Sequence, residues 1–186
     1  MISSLLALPL VAMTPAAHAP AAMAEPSVGA AMDGTYQWVT AQFAGAAEAM
    51  PEATYDWAPT QGEFKGVKTF AQQVKHVSAI NFLMGSMILG EKAPAEVGNP
   101  EMGPDSLKTK AEILKYMKDS FVYAHKAVQS LTAQNGCRPV KNPFGQGPDL
   151  TPIGMATLLA FHGMDHYGQM VEYLRSNNIV PPASRR

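Results

Sequence analysis

Residues 151–173 read TPIGMATLLAFHGMDHYGQMVEY, and this stretch decides the fold. Thr151 followed by Pro152 marks a helix start. The hydroxyl accepts from the first turn, and proline at the first helical position gives up an N–H that has no intrahelical partner anyway. From there Met155, Leu159, His162, His166, Met170 and Tyr173 recur at steps of three and four, which places them on one stripe of a helix. A helix with a single apolar stripe must bury it against another element.

Three more such stripes stand upstream. Thr69 with Gln72, and Thr109 with Glu112, are capping-box patterns, each opening a periodic run. The first run carries Phe70, Val74, Val77, Met84 and Ile88, with a second line of His76, Ile80, Leu83 and Met87 beside it. The other carries Leu114, Met117, Phe121, Ala124, Val128 and Leu131. The earliest run is Val28, Met32, Thr35, Val39, Phe43, Ala46 and Met50, stopped by Pro51. No period-two alternation is long enough for a sheet. Four stripes facing one another make an all-α four-helix bundle. The linkers, 52–68, 91–108 and 135–150, are long and rich in Gly, Pro and Asn, so they permit crossovers between helices.

Composition bounds the function. The chain has 186 residues, 47% hydrophobic and 16% charged, which suits one domain with an ordinary core. A net charge of −1 with no basic stripe argues against a nucleic-acid partner. The apolar runs are too interrupted for an integral membrane bundle. Cys137 is the single cysteine, so no intrachain disulfide forms, and Gly136 and Pro139 around it read as loop. Residues 1–24 hold no Asp, Glu, Lys or Arg; they open with a short apolar run and end in Ala22-Met23-Ala24, a small-x-small cleavage pattern. They read as a signal peptide without the usual basic start, which predicts export to the periplasm and a mature domain of residues 25–186. The alternative is an Ala/Pro-rich tail on a cytoplasmic protein.

The chemistry lies in the histidines. His162 and His166 are four apart, so both imidazoles stand on one helix face, one turn apart, in the apolar stripe. Buried imidazoles need partners. Two at this spacing chelate one divalent ion, and His76, on an inward line of another helix, supplies a third ligand. Three histidines with an open position are the pattern of a catalytic zinc site; histidines satisfied by hydrogen bonds in the core are the competing reading. The glutamate of a His-Glu-x-x-His protease is absent. Asp165 is a candidate outer carboxylate or base, and Gln169 and Tyr167 are candidates for orienting a ligand or a water. His125 reads as surface or boundary, and Trp38 and Trp57 as packing anchors.

At these residues the sequence resembles the DinB family, whose wider superfamily includes YfiT-like proteins and low-molecular-weight-thiol transferases. The resemblance is carried by His162-Gly163-Met164-Asp165-His166-Tyr167-Gly168-Gln169 through Pro181-Pro182, and by Trp57-Ala58-Pro59 leading to Phe70 through His76. Asn178 stands where the family often has glycine, and asparagine tolerates the same left-handed turn. The resemblance implies up-down-down-up connectivity. It implies a divalent transition metal, zinc or nickel, on His76, His162 and His166, and metal-dependent hydrolase or thiol-transferase chemistry on a small-molecule substrate. A homodimer is compatible with this class. The alternative is a non-catalytic bundle stapled by the metal and used for binding or dimerisation.

Overall fold

Every α-helix among the described residues begins on a hydroxyl. Ser27, Thr69, Thr109 and Thr151 each accept a hydrogen bond from a backbone N–H in the first turn, and both predicted capping boxes form in full. In this computed structural model, which describes residues 27–145 and 147–185, they open α1 (Val28–Ala49), α2 (Phe70–Leu89), α3 (Lys110–Gln129) and α4 (Pro152–Ser176). The leader assignment for residues 1–24 falls outside the described residues.

Each helix end is also met chemically. Lys110 donates to the carbonyls of Glu48 and Met50 at 3.0 and 2.7 Å, closing α1 just before Pro51. Gly90, with φ 70°, ends α2, and Arg138 donates to the Met87 and Ile88 carbonyls there. A cation at a helix C-terminus also opposes the negative end of its dipole. Asn178 adopts φ 60°, the left-handed turn expected of it after α4.

The contacts fix the topology. Asp33 of α1 meets Gln129 of α3, while Lys110 at the start of α3 meets the end of α1, so these two run antiparallel. Asn81 meets Ser120, and a Cβ on Gly85 would strike Tyr123, so α2 and α3 run parallel. Gln73 meets Gln169, and His76 meets His162, so α2 and α4 are antiparallel. The four-helix bundle is therefore up-down-down-up, with long connections where the crossovers are needed. Gly163 lets α4 close on α1: a Cβ there would stand 2.8 Å from the Val39 side chain.

Phe43, Phe70, Val74, Met84, Met117, Met155, Leu159 and Met170 fill the core. Burying each such side chain contributes roughly 1.5–3 kcal/mol. A buried polar line crosses it: Tyr36 donates to Asn81 at 2.8 Å, and Asn81 to Ser120 at 3.3 Å. Burial pushes the Tyr36 phenol well above its ordinary pKa. No helix among the described residues is long and apolar enough to cross a membrane.

Two expectations need correction. The inward face at the start of α1 carries Gly29, Asp33 and Tyr36, whereas Thr35 is exposed and Met32 only half-buried. A carboxylate takes the inward position because three side chains are there to bond it. Trp38 is 59% exposed and anchors nothing, since its neighbours Val39 and Tyr36 occupy the buried face instead. Trp57 does pack, edge-on against Tyr173 at 5.3 Å.

Candidate metal centre

His76 of α2 and His162 and His166 of α4 point at one another across the interface of the two helices. Their ring centroids form a triangle with sides of 4.8, 4.7 and 4.5 Å, each pair edge-on. Each ring offers one nitrogen within 4.8 Å of the others. The Nε2 atoms of His76 and His162 are 2.9 Å apart. His76 is 5% exposed and His166 8%.

The far sides of two rings are committed. His76 Nδ1 donates to the Pro100 carbonyl at 2.6 Å, and His166 Nδ1 donates to Gln73 Oε1. Both rings therefore keep an Nε2 lone pair facing inward. His162 Nδ1 is buried and has no partner. The donor set fits a divalent ion: three imidazoles, two with their outer N–H tied down, as ligating histidines require.

Burial, first of all, keeps these rings neutral. It lowers the pKa of His76, pushes His162 down to about 4 with help from the neighbouring His76, and pushes His166 down to about 3 with help from His162 and His76. Neutral imidazole is the form that binds a metal.

The turn that supplies Pro100 depends on glycine. Gly103 has φ 70°, and a Cβ there would lie 2.6 Å from Lys75 Cβ and 2.9 Å from the Lys75 carbonyl carbon. Only glycine lets the loop press on α2 one residue from His76. The Gly103 N–H then bonds the Asn99 carbonyl at 2.7 Å, and the Asn99 side chain takes the Glu101 N–H at 2.9 Å. Glu101 thereby lines a cleft of about 230 Å³ with His76, His162, Ile80, Leu158, Phe161 and Phe144. Lys68 donates to its carboxylate at 3.1 Å and, with the charges nearby, holds it below the ordinary carboxylate range.

The remaining candidates separate. Asp165 is exposed and accepts from Gln169 at 3.0 Å. Gln169 reaches His166 only through Gln73, and Tyr167 packs against the core. His125 stands elsewhere, between α3 and α1, at 19% side-chain exposure. It donates to Asp33 at 2.5 Å, and its Nε2 meets Thr40 at 2.9 Å. Cys137 is exposed in a loop.

Sequence reasoning missed Glu101, Lys68 and Gln73. The first two lie in loops, where no period marks a face. Gln73 did carry a signal: it falls three after Phe70 and four before Val77, a polar residue on an apolar line.

Residues 35–170 match the family description "DinB superfamily". The chain belongs to the DinB superfamily. The match includes all three histidines. A comparison with curated proteins found no matching relative. In this DinB protein the three histidines are positioned for a divalent metal ion.

Proposed function

We propose that this DinB protein is a metal-dependent hydrolase or thiol transferase, with His76, His162 and His166 as ligands of a zinc or nickel ion. One observation carries the reading. Three neutral imidazoles converge across α2 and α4, and two of them line a cleft open to solvent. When bound, a divalent ion in such a set polarises a substrate or lowers the pKa of a water or thiol.

The protein's own residues do the rest. Ile80, Leu158, Phe144 and Phe161 give the cleft an apolar wall for a small substrate body. The Glu101 carboxylate, steadied by Lys68, accepts a hydrogen bond from a donor held there. Kept ionised by Lys68, it orients and stabilises positive charge better than it takes up protons. Ligands drawn from two helices also make the ion a staple, which is the ground for the non-catalytic alternative. Export, read from residues 1–24, favours water over a cellular thiol as nucleophile; the N-terminal mass of the mature protein tests it.

The test is a screen of small esters, amides and thiol acceptors with the metal-loaded protein, with and without chelator. Chelator-sensitive turnover that falls at least tenfold in Glu101→Gln, with metal content retained, supports an enzyme. No turnover across the screen, with metal removal lowering only the melting temperature, supports the staple.

A further inference from the structure

The three histidines are anchored unequally, and the best anchored is tied to a carboxylate through two amides. His166 Nδ1 donates to Gln73 Oε1; Gln73 Nε2 donates to Gln169 Oε1 at 2.9 Å; Gln169 Nε2 donates to Asp165 Oδ2 at 3.0 Å. Gln73 is 1% exposed, on a line of α2 otherwise filled by Phe70, Val74 and Val77. An amide at such a position costs stability unless both of its ends are bonded, and here both are.

The direction of this chain is set at its outer end. A carboxylate only accepts, so Gln169 must turn its NH2 toward Asp165 and its oxygen toward Gln73. Gln73 must then turn its NH2 toward Gln169 and its oxygen toward His166. The ring is left to donate from Nδ1, and its Nε2 lone pair faces His76 and His162. Were the amides reversed, His166 would have to accept at Nδ1 and carry its proton on the inward nitrogen. We propose that Asp165 fixes the tautomer of His166 through Gln169 and Gln73, making these three the positioning residues of this histidine. The inference rests on the metal reading of the three histidines for its consequence, tighter metal binding, but the tautomer exists without metal.

The experiment uses the full chain and reads two quantities. Nitrogen-15 NMR of the histidine rings reports the tautomer in metal-free protein. Competition against a chromophoric chelator reports zinc affinity. Native protein is expected to show His166 protonated at Nδ1. Gln73→Leu is expected to mix the tautomers and weaken zinc by about 10- to 100-fold. Gln169→Leu and Asp165→Ala are expected to do the same to a smaller degree, with Asp165→Glu restoring both readings. Asp165 is exposed, so its variants decide the matter where Gln73→Leu does not fold. Unchanged tautomer and unchanged affinity in Asp165→Ala and Gln169→Leu overturn the relay. Native protein that keeps the Nδ1–H tautomer but binds no zinc overturns the metal reading and leaves the relay standing.

Discussion

Two histidine clusters occupy the same bundle, and they solve the problem of a buried imidazole in opposite ways. Between α1 and α3, His125 is fully served: Asp33 takes its Nδ1–H, Thr40 meets its Nε2, and Gln129 and Gln37 bond the second Asp33 oxygen at 2.8 and 2.9 Å. Both His125 nitrogens and both Asp33 oxygens have a protein partner, and no cavity reaches them among those the structure shows. Between α2 and α4, three imidazoles face one another with no carboxylate among them, and one nitrogen is orphaned. The first arrangement is complete without a ligand. The second presents one nitrogen of each ring to a common point, the arrangement that suits a shared electrophile. Histidines at helical spacing are therefore uninformative until their partners are counted.

The sharpest way to break the comparison is to damage the complete cluster. His125→Ala leaves the nearly buried Asp33 carboxylate without its imidazole N–H donor from α3. Removing one member of such a pair costs about 3 kcal/mol. Urea unfolding should show that loss while metal stoichiometry stays native. The converse concerns the incomplete cluster. Zinc at a hundred times its dissociation constant should stabilise the native protein by about 2.7 kcal/mol. His76→Ala should lose that gain, and His125→Ala should keep it.

Acid separates the two clusters along the pH axis. His162 and His166, pushed down to about 4 and about 3, take up protons in the unfolded chain well before the folded one. Between about pH 6.5 and 4 the unfolded state thus binds more protons. Stability of the metal-free protein is full above that window and is lost as the pH falls through it, at up to about 1.4 kcal/mol per pH unit for each of the two rings. Asp33 behaves differently. Burial raises its pKa, but the bonds from Gln129, His125 and Gln37 outweigh this and lower it from 3.8. Its contribution is lost only as the pH falls below that value. Melting temperature against pH should show the limb between about pH 6.5 and 4 shrink in His162→Ala/His166→Ala, while the loss due to Asp33 below pH 3.8 remains.

Smaller effects test the surroundings. Gly103→Ala should push the 99–103 turn off Lys75, loosen Pro100 from His76 and weaken zinc by about tenfold, a typical loss for an outer partner of a ligating histidine. Trp38→Ser, at an exposed position, should change stability by less than about 0.5 kcal/mol and leave zinc binding alone.

The pattern of what the sequence disclosed follows the range of each interaction. Helix starts are local, and the Thr69, Thr109 and Thr151 caps stand where their motifs place them. The stripes of α2, α3 and α4 were legible for the same reason, and they brought His76, His162 and His166 together correctly. The first turn of α1 was misread because Asp33 turns inward for partners on α3, 92 and 96 residues away. Glu101 was invisible because a glycine-dependent turn, rather than a helical period, brings its loop to the cleft, and Lys68 because it meets Glu101 from another loop, 33 residues away. The outer partners of the histidines, Gln73 and Pro100, belong to the same long-range class.

The measurement that tests the central claim most directly is the metal content, by mass spectrometry, of untagged protein spanning residues 25–186, beside His125→Ala and His162→Ala/His166→Ala. The account predicts near one equivalent of a transition metal in the native protein and in His125→Ala, and none in the double variant. Only trace metal in the native protein, even after incubation with zinc or nickel, would contradict it and make the three histidines core polar groups.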